Sequence, residues 1–177
     1  MIKGKKYTGV IVPAVTPLTE NLQIDDLAVN KLFTLFYTHN ISPFILGTTG
    51  EVASLPLQVK RDYVVAAEQN KKKGTLLYAG IGSNVMAESI EFATFCSAHA
   101  VDVVVATLPS YYSLTEKQML NYFISLADNI SLPLFIYNIP ATTHMSIPLS
   151  VIDELSQHKN IVGLKDSERS EERMLQA

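Results

Sequence analysis

The chain has 177 residues, 47% of them hydrophobic, and a formal net charge of -3. That length can bury one sizeable core, and the composition excludes the disordered and fibrous classes. A mild acidic balance without a basic stripe argues against nucleic acid as the main partner, and no stretch reaches the roughly 18 apolar residues that a membrane span needs.

The opening "MIKGKKYTGVIVPAVTPL" offers basic residues and then apolar ones, but the apolar run is short and carries Pro13 and Pro17. It has no convincing small-residue cleavage site, so a signal peptide is not expected. Cys96 is the sole cysteine, which removes any internal disulfide framework and suits a reducing, cytoplasmic setting. In "FATFCSAHA" it reads as a small core residue.

Short apolar, β-branched runs then alternate with longer amphipathic ones. The strands expected are "GVIVPAVT", "FILG", "LLYAGIG", "VDVVVATL", "PLFIYN" and "IVGLK". Helices are expected over Asp25 to Thr38, Leu57 to Lys71, Met86 to His99, Thr115 to Asn129 and Leu149 to His158. The first places Leu27, Leu32, Leu35 and Phe36 near one face. Pro56 and Pro148 suit first helical turns, and Ser113 with Glu116 has capping-box spacing. Lys71 to Lys73 read as a solvated helix end before Gly74. No linker appears, so one domain is expected.

Strict alternation implies a parallel sheet, because parallel neighbours need crossovers. The open doubly wound sheet and the closed barrel of eight βα units compete. "VIVPAVTPLTE" puts prolines where a dinucleotide fold would carry a glycine-rich turn. In both folds ligands bind at the carboxyl ends of strands, which here read Thr16-Pro17, "GTTGE", "GIGSN", "LPSYY", "YNIP" and "KDS".

Each of these has a plain structural reading. Lys165 at a sheet rim is ordinarily a solvated charge. Deep in a barrel, desolvation would instead favour the neutral amine, which attacks a ketone to form a Schiff base. Tyr137 is either a core-edge tyrosine or a proton shuttle for carbinolamine chemistry. Tyr111 and Tyr112 either extend that relay or pack against a neighbour. "GTTG" is a tight turn or a small anion-binding nest, and Glu51 reads as a helix cap. The histidines lack metal-ligand spacing; His144 alone follows a strand and could touch a substrate.

Together, "GTTGE", "LPSYY", "YNIPATT" and "GLKDS", in this order and spacing, resemble the dihydrodipicolinate synthase / N-acetylneuraminate lyase family across essentially the whole chain. The resemblance implies a (β/α)8 TIM barrel and Schiff-base, pyruvate-handling chemistry without cofactor or metal. It implies that Lys165 is the Schiff-base lysine and Tyr137 the proton-relaying tyrosine. Thr48 and Thr49, with Gly50 beside them, would bind the pyruvate carboxylate. Tyr111 would be a relay tyrosine lent across a dimer interface, in a homo-oligomer (dimer or tetramer).

Two departures from the family pattern matter. The lysine-pathway synthase carries an arginine where this chain has Thr142, and a hydroxyl cannot give the bidentate, charged grip of a guanidinium. Thr142 and Thr143 suit hydroxylated chains, so the expected substrate is a 2-keto-3-deoxy sugar acid or a sialic-acid-type compound. 4-Hydroxy-tetrahydrodipicolinate synthase and a non-catalytic 2-keto-acid-binding protein are the alternatives. The second departure is length: six βα units are legible, whereas this barrel needs eight and about 250 residues. Residues 1–177 are therefore expected to be the N-terminal portion of one barrel domain, lacking strands seven and eight. By itself such a polypeptide is expected to be inactive, aggregation-prone or reliant on other copies.

Overall fold

The computed structural model describes residues 6–176; the signal-peptide reading falls partly on residues 1–5, outside that range. The elements are β1 (Val10–Pro13), α1 (Asp26–Thr38), β2 (Ile41–Ile45), α2 (Leu57–Asn70), β3 (Tyr78–Gly80), α3 (Met86–Ala98) and β4 (Val103–Thr107). They continue with α4 (Glu116–Asp128), β5 (Leu134–Asn138), α5 (Pro140–Thr143), α6 (Leu149–Ser156), β6 (Ile161–Asp166) and α7 (Glu171–Gln176). The strands lie in chain order, β1 to β6, with parallel pairing in β1–β2, β2–β3, β4–β5 and β5–β6. These are six βα units of the barrel class.

The chain divides into two compact units, Met1–Ala79 with His99–Val101, and Gly80–Ala98 with Asp102–Ala177. In the first unit, α1 packs on β2 and α2. Asp25 caps α1, its carboxylate accepting the Ala28 N–H at 3.0 Å. The buried stripe of α1 is Val29, Phe33 and Phe36, while Leu27 and Leu35 stand 76% and 55% exposed. The expected face is corrected: two apolar stripes overlap on this helix, and the one carrying both phenylalanines removes more area from water. α2 tethers the end of β1, since the buried Tyr63 hydroxyl donates to the Val15 carbonyl at 2.8 Å. Beyond α2, Lys71 sits at the helix end as expected, its Nζ donating to the Ala100 carbonyl at 2.7 Å.

In the second unit, Cys96 is buried, and burial pushes its thiol up to about 12. It is a core residue. The capping box of α4 lies two residues later than expected. Thr115 is the N-cap, its Oγ1 accepting the Gln118 N–H while Gln118 Oε1 accepts the Thr115 N–H. Ser113–Glu116 and Thr115–Gln118 both fit the sequence pattern; starting at Glu116 sets Met119, Tyr122, Phe123 and Leu126 on the buried face. Pro56 and Pro148 are N-caps themselves, one position ahead of the first turn.

The β5–β6 ladder contains one irregularity. Leu134 pairs with Ile161 but Phe135 pairs with Gly163, after which the register runs unbroken to Asn138 and Asp166. A bulge of this kind inserts one residue, here Val162. Gly163 is dictated by its neighbour, because a Cβ there would lie 2.6–2.8 Å from the Phe135 ring. Gly163→Ala is expected to lower stability by about 1–3 kcal/mol through overpacking. Urea unfolding checks this, with an unchanged midpoint as the contrary result.

Candidate active site

The ends of β5 and β6 bring together candidate residues of the second unit. Their register puts Tyr137 beside Lys165 and Asn138 beside Asp166. Successive strand residues point to opposite faces, so the first pair shares one face of the sheet and the second pair the other. Lys165 Nζ stands 3.5 Å from the centroid of the Tyr137 ring and donates to Ser167 Oγ at 2.9 Å. Tyr137 is 6% exposed, whereas Lys165 is half-buried. The expectation of a deeply desolvated amine is corrected to an amine held by an aromatic face and a hydroxyl, with part of its surroundings open. A cation above an aromatic ring at this range is attracted by the ring's quadrupole.

The opposite face holds a network that the sequence did not reveal. The Asn138 side chain donates to Asp166 Oδ1 at 2.9 Å and to Glu168 Oε2 at 3.0 Å, and accepts the Ile147 N–H at 3.1 Å. Arg173 Nε lies 2.7 Å from Asp166 Oδ2 and 3.4 Å from Glu168 Oε2, and Ser146 Oγ donates to Glu168 at 2.6 Å. Burial alone would raise the Asp166 carboxyl. The Glu168 N–H, the Arg173 guanidinium and the Asn138 amide outweigh it and hold that carboxyl below its ordinary value.

The loop residues separate into buried and exposed hydroxyls. After β5, the chain turns at once into α5 with Pro140 at its first position, a helix that the "YNIPATT" string did not announce. Thr143 is buried, and its O–H is shared between the Ile139 and Met145 carbonyls, 3.1 Å from each. Thr142 is exposed, with Oγ1 3.3 Å from the Ile139 carbonyl. His144 is exposed and closes α5 in a left-handed conformation, φ 56°. Tyr111 and Tyr112 are 79% and 76% exposed and meet edge to face, centroids 4.8 Å apart.

The threonine turn belongs to the first unit. Thr48–Gly50 is a short 3-10 turn rather than an open nest, followed by Glu51 at φ 55° and a second turn, Val52–Ser54. Glu51 therefore joins two turns instead of capping α2. Thr16 Oγ1 donates to the Gly50 carbonyl at 2.7 Å. A Cβ on Gly50 would sit 3.0 Å from the Ala14 carbonyl and 3.1 Å from Thr16 Oγ1. Gly50 thus seats the turn against the end of β1, and Thr48 and Thr49 remain exposed.

Among the described residues, no group of three or more His, Cys, Asp or Glu side chains is placed to hold a metal ion. No described helix is long and apolar enough to cross a membrane.

The model of the dihydrodipicolinate synthetase family matches residues 6–177. The chain belongs to this family. It is 32% identical over 162 residues to 4-hydroxy-tetrahydrodipicolinate synthase of Acidiphilium cryptum, covering 91% of this chain and 56% of that protein. The solved 4-hydroxy-tetrahydrodipicolinate synthase of Methylacidiphilum fumariolicum SolV is 29% identical with a TM-score of 0.91, covering 97% and 57% of the two chains. YagE, a prophage protein of the dihydrodipicolinic acid synthase family from E. coli K12 solved in complex with pyruvate, is 26% identical with a TM-score of 0.89 and coverages of 93% and 56%. The chain spans a little over half the length of these family relatives.

Proposed function

We propose that the protein is a Schiff-base aldolase or lyase that joins pyruvate to an aldehyde, or cleaves the product, with Lys165 as the covalent amine. The observation that carries this reading is the Lys165 amine 3.5 Å above the Tyr137 ring at adjoining strand ends, in a member of the dihydrodipicolinate synthetase family. The neutral amine attacks the keto carbon, water leaves, and an imine remains. Loss of a C3 proton gives the enamine, which adds to the aldehyde carbon, and hydrolysis frees Lys165. Tyr137 moves the protons of carbinolamine formation and dehydration. Tyr111, largely presented to solvent, is a relay group suited to a neighbouring copy in a homo-oligomer of one barrel domain per chain. Thr48 and Thr49 take the pyruvate carboxylate, with Gly50 setting the turn.

For the aldehyde, the neutral hydroxyl of Thr142 favours a hydroxylated chain, as in a 2-keto-3-deoxy sugar acid or a sialic-acid-type substrate. Thr143, with its hydroxyl engaged internally, shapes the loop. A second reading, 4-hydroxy-tetrahydrodipicolinate synthase, is supported by the names of the relatives. Pyruvate release from sugar acids, compared with condensation onto aspartate semialdehyde, separates the two.

Borohydride reduction in the presence of pyruvate tests the common core. A stable adduct is expected on the peptide containing Lys165. Pyruvate binding without an adduct indicates a 2-keto-acid-binding protein instead, and an adduct on another lysine removes Lys165 from the mechanism.

A further inference from the structure

We propose that Asn138 is a positioning residue: it clamps the ends of β5 and β6 on one face of the sheet and so keeps the Lys165 amine over the Tyr137 ring on the other. Its functional meaning rests on the reading of Lys165 as the reactive amine; its geometry does not.

Asn138 is 1% exposed, and both its side-chain amide hydrogens and its side-chain oxygen are engaged. Its two amide hydrogens go to two different carboxylates, Asp166 and Glu168. Its side-chain oxygen takes the Ile147 N–H, and its main-chain carbonyl takes the Ser167 N–H at 2.9 Å. A side chain of this size that offers two donors and an acceptor is asparagine alone. The bonds converge on the residues flanking the amine. Asp166 follows Lys165 directly, and Ser167, whose hydroxyl receives Lys165 Nζ, is tied back to Asn138 through its backbone. Glu168 extends the clamp to Ser146 in the loop after α5. Arg173 sits against both carboxylates and offsets their mutual repulsion, so the amide can bring them together.

Asn138→Asp keeps the size but replaces the donor with a third carboxylate among two. The buried donors are lost and like charges meet. The ends of β5 and β6 part, and the amine leaves the ring. A displacement of about 1 Å at a reacting group costs on the order of 100-fold in rate.

The test uses the protein as its gene encodes it, with lysine labelled by carbon-13 at the ε position. In the unmodified protein, the Lys165 methylene protons are shifted upfield by the Tyr137 ring. In folded Asn138→Asp this shift collapses towards that of a solvated lysine, and in the exchanged pair Asn138→Asp with Asp166→Asn it returns in part. With pyruvate, the borohydride trapping rate at saturation falls about 10–100-fold, while the half-saturating concentration stays within about threefold. Should Asn138→Asp fail to fold, Asn138→Ser is measured in its place, with the same collapse expected. An upfield shift that survives in a folded variant, or is missing from the unmodified protein, overturns the proposal. Trapping losses that merely track the unfolded fraction do the same. If pyruvate is never trapped by the unmodified protein, the proposed function fails, and the ring-shift comparison still decides the positioning role.

Discussion

On the proposed mechanism, Lys165→Ala is expected to end covalent capture of pyruvate: borohydride should leave no adduct on the chain, and turnover should fall by on the order of 10^5 or more, the result of removing the proposed bond-forming group. The fold is expected to survive. The amine is half-buried at a strand end, and its contacts are one ring face and one hydroxyl, Ser167. Circular dichroism and thermal unfolding of the variant should therefore match those of the parent closely. Residual turnover of more than a few per cent in Lys165→Ala would place the chemistry elsewhere. Lys165→Arg is the informative companion, since it retains a cation for the ring but cannot form the imine. It should keep the aromatic contact and lose the activity.

The largest stability effect is expected at Phe123→Ala. Phe123 is fully buried on α4 and meets Tyr122 at 5.1 Å between centroids. Truncating such a ring leaves a void that rigid neighbours cannot fill, and costs about 3–5 kcal/mol. Against a typical domain stability of about 5–15 kcal/mol, that is enough to shift the unfolding transition far towards lower urea. A loss below about 1 kcal/mol would mean that the helices around α4 repack freely. Chemistry should suffer only in proportion to unfolding, which separates this effect from that of Lys165.

The strands were legible because each is a short apolar run bounded by polar or turn residues, and the crossover rule then fixed a parallel sheet. Lys165 and Tyr137 stood out for a similar reason: both close such runs, so strand direction alone sends them to the same end. Other features were hidden for physical reasons. On α1 the sequence carries two apolar stripes, and only packing chooses Phe33 over Leu35. At α4, two overlapping cap patterns compete within six residues, Ser113–Glu116 and Thr115–Gln118. The Asn138 network joins residues 28–30 positions apart, beyond any local periodicity. The signal available was indirect: a polar amide at the end of a buried strand must find partners, and the nearest charge-dense string is "KDSER".

Val162 gives the β5–β6 seam an odd count, and oddness has a side. Were Val162 paired like its neighbours, Lys165 would fall opposite Asn138 and its amine would emerge on the face of the carboxylates, away from the Tyr137 ring. One uncounted residue, with no functional group of its own, thereby selects the face on which the Lys165 amine emerges.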